Sequence, residues 1–160
     1  MIVAGIITFF KIYLTYTKKK DKFSLSSSYC NEGGNDMKRI TILLAEDKED
    51  WRNSILSMLG QEDYDVTVAC DGREAWDLFV EGRRFDLLLT DGAMPEASGD
   101  QLLEMLINEL KIQVTAILQT GESMTQEDIE LYKAIGFKGV IRKRNLQKDL
   151  MSLIKEVLNI

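Results

Sequence analysis

Residues 40–47 read ITILLAED, an apolar, strand-like run that stops abruptly at two carboxylates, Glu46 and Asp47. Three later runs have the same form and end in a polar side chain: FDLLLTD at 85–91, VTAILQTG at 114–121 and GVIRK at 139–143. In an open parallel α/β sheet, ligands bind outside the carboxyl ends of the strands. The four runs therefore predict that three carboxylates, a hydroxyl and an ammonium meet in one cleft.

The composition excludes several kinds of catalytic site. The chain has 160 residues, no histidine and a formal net charge of -6 at pH 7. Without histidine it cannot use Ser-His-Asp or Cys-His catalysis, and a phosphoryl group carried on histidine must come from another protein. The acidic balance disfavours a nucleic-acid partner. The two cysteines have neither metal-site spacing nor a disulfide framework, so we expect a reducing cytoplasm.

The first 36 residues differ from the rest of the chain. An apolar stretch at 2–10 is followed by Lys18-Lys19-Lys20 and then by a segment containing Ser, Gly and Asn. The apolar stretch is far shorter than the roughly 20 residues of a membrane-spanning helix. Its positive charge follows it, whereas a signal peptide begins with positive charge. We expect residues 1–36 to be either a disordered extension or a segment that is not natively translated. In the second case Met37 is the native start.

From Met37 onward, strand-like and helix-like segments alternate. Helical periodicity is present in five segments, at 50–59, 73–81, 99–110, 126–135 and 146–158. Thr125 and Asn145 are the residue types that cap helix N-termini. The alternation predicts a doubly wound α/β fold, in which a parallel sheet of five strands carries helices on both faces.

The polar residues at the strand ends predict a magnesium site beside a nucleophile. Glu46, Asp47 and Asp91 supply the oxygen ligands that Mg²⁺ prefers. Asp91 stands alone before a Gly-Ala loop, so a phosphoryl donor could approach it, and a carboxylate nucleophile would form an aspartyl phosphate. Lys143 would add a fixed positive charge, and Thr120 would offer its hydroxyl to a phosphoryl oxygen.

The chain resembles the receiver domain of bacterial two-component response regulators, over residues 38–160. The motifs that carry the resemblance are LLAED at 43–47, DLLLTDGAMPEASG at 86–99, TG at 120–121, and GFKG at 136–139 leading to Lys143. The resemblance implies a stand-alone receiver similar to the chemotaxis regulators. It also implies a flavodoxin-like fold, in which the five parallel strands have the order 2-1-3-4-5. It also implies a partner histidine kinase or histidine phosphotransfer protein and a downstream protein target.

The resemblance also implies roles for individual residues. Asp91 matches the phosphoacceptor, and the Glu46–Asp47 pair matches the family's metal-binding acids, with Asp47 the direct ligand. The backbone carbonyl of Ala93 would complete the metal shell. The remaining two matches, the switch hydroxyl and the lysine of the family, are Thr120 and Lys143. Such a protein assists its own phosphorylation and dephosphorylation without being a conventional enzyme.

Three residues depart from the family pattern. Arg144 stands where proline usually follows the lysine in a cis peptide, and a cis bond before a non-proline residue costs roughly 2.5–4 kcal/mol. We therefore expect a trans bond and a reshaped loop. Val140 replaces the switch aromatic. Ala93 lacks a polar side chain that could orient a hydrolytic water, so we expect slow autodephosphorylation.

Two other classes of function remain to be weighed against a phosphorylated switch. A degenerate receiver that binds partners without phosphorylation is favoured by Arg144 and Val140 and opposed by the complete acidic set. A Mg²⁺-dependent phosphohydrolase would need a second acid two residues after its nucleophile. That position is Ala93, so the phosphohydrolase is disfavoured.

Overall fold

The computed structural model describes residues 39–60, 62 and 64–160, so the predictions for residues 1–36 lie outside it. Its strands are β1 (Ile40–Ala45), β2 (Tyr64–Ala69), β3 (Leu87–Asp91), β4 (Thr115–Thr120) and β5 (Gly139–Arg142). Its helices are α1 (Glu49–Leu59), α2 (Gly72–Val80), α3 (Gly99–Asn108), α4 (Gln126–Ile135) and α5 (Leu146–Leu158). The strands form one parallel sheet of order β2-β1-β3-β4-β5, which confirms the predicted fold.

Two apolar layers enclose the sheet. On one face, α1 and α5 pack against alternate strand residues, among them Ile42, Leu44, Leu87, Leu89, Ile117 and Ile141. On the other face, α2 and α3 pack on the intervening residues, and α4 joins them through the partly buried Tyr132 and Ile135. Successive side chains of a strand point to opposite faces of a sheet. Each strand therefore supplies both layers.

The helix ends follow the predicted capping only in part. Thr125 and Asp128 form the expected capping box at the start of α4. Asn145 precedes α5 as expected, but its side chain makes no capping hydrogen bond, because it ends a 3₁₀ turn, Lys143–Asn145. Of the helices in the described residues, none combines the length and apolar character that crossing a membrane requires.

The strand register brings the carboxyl ends of the strands to one edge of the sheet. Ala45 lies beside Thr90 on neighbouring strands, and Asp91 lies beside Gln119. The next residue of β4, Thr120, lies beside Arg142 at the end of β5. The polar residues at or just after the carboxyl ends of β1, β3, β4 and β5 therefore lie along the same edge of the sheet.

Gly99, at the start of α3, lies tightly against the end of β3. A Cβ atom at this position would be 2.5 Å from the carbonyl oxygen of Asp91 and 2.9 Å from the side chain of Thr90. We predict that Gly99→Ala lowers the free energy of unfolding by about 1–3 kcal/mol, because overpacking forces the backbone to shift. Urea unfolding measures this change.

Gly121→Ala is the matched control, because a Cβ atom there would meet no heavy atom within 4 Å. Equal stability of the two variants would contradict the close packing of α3 on β3.

Candidate functional site

Four charged side chains meet where the sheet ends, and we call Glu46, Asp47, Asp91 and Lys143 the acidic pocket. One carboxylate oxygen from each of the three acids lies within 4.8 Å of the others. Glu46 directly follows β1, Asp91 is the last residue of β3, and Lys143 directly follows β5. The structure thus brings together four of the five side chains that the sequence placed in one cleft.

The ammonium group of Lys143 holds two of these acids. Its Nζ lies 2.7 Å from Oε2 of Glu46 and 2.8 Å from Oδ2 of Asp91. Glu46 has no exposed surface, and Asp91 and Lys143 are only 3% and 7% exposed. Buried charges are tolerated only when they are paired, and losing one partner of such a pair costs about 3–5 kcal/mol. Lys143 therefore keeps two carboxylates in place that would otherwise repel each other.

Burial raises the pKa of the Glu46 carboxyl above its usual value of 4.5. The hydrogen bond from Lys143 acts in the opposite direction, while the nearby charge of Asp91 raises the pKa further. The backbone N–H of Lys48 donates to Oε1 at 3.2 Å and also favours the ionised form. Desolvation exceeds the opposing contributions, so Glu46 holds its proton more strongly than an exposed glutamate.

Asp47 is held by its backbone and has a carboxylate oxygen without a partner. Arg52, on α1, donates from Nη1 to the carbonyl oxygens of Glu46 and Asp47, at 2.9 and 2.8 Å. These two bonds fix the turn between β1 and α1. Oδ1 of Asp47 is buried, yet it accepts no hydrogen bond from the described residues. A buried acceptor of this kind is satisfied by a water or an ion that enters the site.

The donor set of the acidic pocket fits a hard divalent cation. Every candidate ligand is a carboxylate oxygen, and no sulfur or imidazole lies among them. Such oxygens suit Mg²⁺, which is typically bound through one or two carboxylates and several waters. Asp47, whose Oδ1 has no hydrogen-bond partner, is one of the three acids of this group. The residues present therefore fit a magnesium ion.

Thr120 and Ala93 occupy the edges of the site. The hydroxyl oxygen of Thr120 accepts a hydrogen bond from the backbone N–H of Glu122 at 3.1 Å. The backbone N–H of Ala93 is 3.4 Å from Oδ1 of Asp91, and the residue itself is exposed. The loop after β3 therefore folds back over the Asp91 carboxylate without placing a polar side chain at position 93.

The departures from the family pattern have visible consequences. The peptide bond between Lys143 and Arg144 is trans, as expected, and the chain continues as a 3₁₀ turn. Arg144 is exposed, whereas Arg142 is half-buried and donates to the carbonyl of Met124 at 2.6 Å. Val140 is partly buried against the core. The basic residues beside Lys143 therefore lie outside the acidic pocket.

Sequence reasoning did not assign a role at this site to Gln119 or Trp51. The side-chain amide of Gln119 donates to Oε2 of Glu46 at 3.1 Å. The ring of Trp51 lies under the ammonium of Lys143, with 5.4 Å between Nζ and the ring centroid. A polar residue in an otherwise apolar strand was the available signal for Gln119. Trp51 gave no comparable signal, since it lies on the apolar face of α1.

The raised pKa of Glu46 predicts a pH-dependent stability. In EDTA, folded Glu46 keeps its proton to a higher pH than the unfolded chain does, so its contribution to stability is lost as pH rises from 4.5 through the raised pKa. Glu46→Gln removes this titration. We therefore predict that the wild type loses stability across this pH range and that the variant does not lose this contribution. The difference in unfolding free energy, variant minus wild type, should become more positive as pH rises, and urea unfolding at several pH values measures it.

Glu104→Gln serves as the control, because Glu104 is an exposed residue of α3. If Glu46→Gln and Glu104→Gln change with pH in parallel, burial does not raise the pKa of Glu46.

Comparison with known proteins relates this geometry to a family. The family profile described as "Response regulator receiver domain" matches residues 42–155. The chain is 32% identical over 121 residues to "Chemotaxis protein CheY homolog" of Campylobacter jejuni subsp. jejuni, which covers 73% of this chain and 91% of that protein. It is 30% identical over 118 residues to "Probable transcriptional regulator ycf29" of Porphyra purpurea. That match covers 73% of this chain but only 56% of the relative.

A solved structure with the same architecture is the CheY-like response regulator receiver domain protein from Methanospirillum hungatei JF-1. It has a TM-score of 0.66 and 28% identity to this chain, and the match covers 76% of this chain and 94% of that one. The sheet order, the charged residues at the strand ends and the profile match over most of the chain agree. The chain belongs to the response regulator receiver domain family.

Proposed function

We propose that the chain is a response regulator receiver that accepts a phosphoryl group on Asp91 and thereby changes its binding to a partner. One observation carries the proposal: Lys143 contacts Glu46 and Asp91 at 2.7 and 2.8 Å, and these two acids form one cluster with Asp47. A nucleophile, a cation site and a fixed positive charge are the components that phosphoryl transfer to a carboxylate needs.

We assign the magnesium site to Asp47 and Asp91, with Glu46 beside them and the backbone carbonyl of Ala93 as a further ligand. Asp47 is favoured as a direct ligand because Oδ1 has no other partner. Glu46 is already engaged, since its two oxygens accept from Lys143, Gln119 and the Lys48 amide. When bound, Mg²⁺ supplies positive charge that neutralises oxygens of the transferring phosphoryl group.

The chemical step uses the residues already in contact. A carboxylate oxygen of Asp91 forms a bond to phosphorus while the phosphorus–nitrogen bond to the donor's histidine breaks. The imidazole leaves with the bonding electron pair and takes a proton from solvent. Lys143 stabilises the charge on the phosphoryl oxygens, and this interaction is strong because the residue is only 7% exposed to solvent. In this proposal the donor is a histidine kinase or a histidine phosphotransfer protein. Because this chain has no histidine, the phosphohistidine must lie on another protein.

The response surface is assigned to α4, β5 and α5. Lys143 directly follows β5 and opens the turn that leads into α5, so a change in its contacts acts on both elements. A groove of about 400 Å³ lies there, bordered by Met124, Ile129, Val140 and Leu153. In this proposal the Thr120 hydroxyl exchanges its hydrogen bond with the Glu122 amide for one with the phosphoryl group.

The proposed location of the protein is the cytoplasm.

A phosphorylation-independent binding module is the second candidate. Switching in this family involves the burial of an aromatic ring at the position of Val140. Valine has no ring to bury, and Val140 is already partly buried. In that case the groove would bind its partner in one fixed state. The two candidates differ in whether Asp91 is modified.

Phosphorylation is tested by intact mass after incubation with acetyl phosphate and Mg²⁺. We predict that the wild type gains one phosphoryl group and that Asp91→Asn gains none, because the amide is not a nucleophile. EDTA should abolish the gain, since the charge on the transferring group is then not neutralised.

The matched control is Asp50→Asn, which changes an exposed aspartate at the start of α1 and should keep the gain. Absence of any gain in the wild type, with no Mg²⁺ binding, would favour the phosphorylation-independent module.

Position 93 governs the predicted lifetime of the phosphorylated state. Ala93 is exposed and its backbone lies against Asp91, so a polar side chain there would reach a water near the phosphoryl group. We predict that Ala93→Asn shortens the half-life of the aspartyl phosphate by up to about tenfold, a modest share of what a positioned polar group contributes to proton transfer. The half-life is measured by the decay of phosphorylated protein after removal of the donor.

Ala134→Asn makes the same change at an exposed position of α4 and should leave the half-life as it is. An unchanged half-life in Ala93→Asn would refute the explanation based on the missing polar side chain.

A further inference from the structure

Gln119 is a buried polar residue that its strand does not require. Its side chain has no exposed surface, and the neighbouring residues of β4, Ala116, Ile117 and Leu118, are fully buried hydrophobics. Gln119 and Ile117 lie two residues apart, so their side chains point to the same face of the sheet. An apolar side chain would extend that layer. A buried amide in this setting calls for an explanation in terms of its partners.

The two ends of the Gln119 amide are in different situations. Nε2 donates at 3.1 Å to Oε2 of Glu46, the same oxygen that accepts from Lys143 at 2.7 Å. Oε1 is buried and accepts no hydrogen bond. In the part of the chain that the structure describes, the only other buried side-chain atom in this condition is Oδ1 of Asp47. Both partnerless oxygens therefore belong to residues at one site.

We infer that Gln119 is a positioning residue of the acidic pocket. Its N–H group holds Glu46 against Lys143, and its carbonyl oxygen accepts a hydrogen bond from a water bound to the divalent cation. Mg²⁺ keeps several of its waters when it binds a protein, and each water needs acceptors. Mutation of groups that hydrogen-bond to metal ligands typically lowers metal affinity 10- to 100-fold. The cation half of this inference rests on the proposed function.

The geometry places Gln119 where it can act on the acidic pocket. Asp91 and Gln119 are register neighbours on β3 and β4. Asp91 follows Leu89 by two residues, as Gln119 follows Ile117, so the two side chains lie on the same face. The amide is therefore adjacent to Asp91 along the sheet and hydrogen-bonded to Glu46. Its uncharged oxygen adds an acceptor without adding a fourth negative charge.

Metal binding to the unphosphorylated protein tests this inference. Mg²⁺ is titrated into ¹⁵N-labelled protein, and the dissociation constant is taken from the backbone amides of Gly92 and Ala93. We expect Gln119→Met, which keeps the length but loses donor and acceptor, to raise the dissociation constant about tenfold. Leu118→Met is the matched control, a volume-conserving change at the adjacent buried residue, and it should leave the constant within twofold. A value for Gln119→Met within twofold of the wild type would overturn the cation half.

A second measurement uses the native side chain and does not depend on the folding of Gln119→Met. In EDTA, the side-chain NH₂ signal of Gln119 should move in Glu46→Gln, because the acceptor changes from a carboxylate to an amide. In the wild type, the Gln119 signal should also shift when Mg²⁺ is added, while the signal of the exposed Gln147 should not shift. If the Gln119 signal has the same chemical shift in Glu46→Gln as in the wild type, the inference that Gln119 positions Glu46 is wrong.

The outcomes separate this inference from the proposed function. In one outcome, Mg²⁺ shifts the amide signals of Gly92 and Ala93 but not the side-chain signal of Gln119, and Gln119→Met binds Mg²⁺ as tightly as the wild type. Gln119 then has no role toward the cation, and the proposed function stands. If the wild type shows no response to Mg²⁺, the proposed function and the cation half fail together. The Glu46→Gln measurement in EDTA still decides the positioning half.

Discussion

The bridge that Lys143 makes between Glu46 and Asp91 is the contact on which the site depends. Two carboxylates that are almost fully buried cannot remain ionised side by side without a partner. The ammonium provides that partner at 2.7 and 2.8 Å and joins the ends of β1, β3 and β5. The ring of Trp51 lies 5.4 Å from the same ammonium and adds a cation–π attraction to its surroundings. The position of one cation thus determines the geometry of three strand ends.

The sheet makes this bridge possible before any side chain is considered. Parallel strands in matched register end at one edge, and alternation directs residues two apart to the same face. Glu46, Asp91 and Gln119 follow Leu44, Leu89 and Ile117 by two residues each. The polar site is therefore the continuation of the layer between the sheet and helices α1 and α5. Rigid apolar packing below the site keeps the polar atoms above it within hydrogen-bonding distance.

Sequence patterns predicted the parts of this arrangement that depend on periodicity and on strand ends. The alternation of strands and helices, the capping box at Thr125 and the meeting of Asp91 with Lys143 are of this kind. The order of the strands came from the family resemblance instead. Gln119 was not assigned to the site, because its contact with Glu46 depends on the register between β3 and β4, which composition does not reveal. The contact of Trp51 with Lys143 depends on how α1 lies on the sheet. Asn145 failed as a cap because the Lys143–Asn145 turn precedes α5.

The charge balance of the acidic pocket links its resting form to its proposed switching. Three carboxylates against one ammonium leave two negative charges, which is the charge that one divalent cation neutralises. Phosphorylation of Asp91 would replace one negative charge with about two. Lys143 would then be drawn toward the phosphoryl oxygens and away from Glu46. Because Lys143 begins the turn between β5 and α5, this shift in electrostatic attraction would act on the surface formed by α4, β5 and α5, and it needs no aromatic residue at Val140.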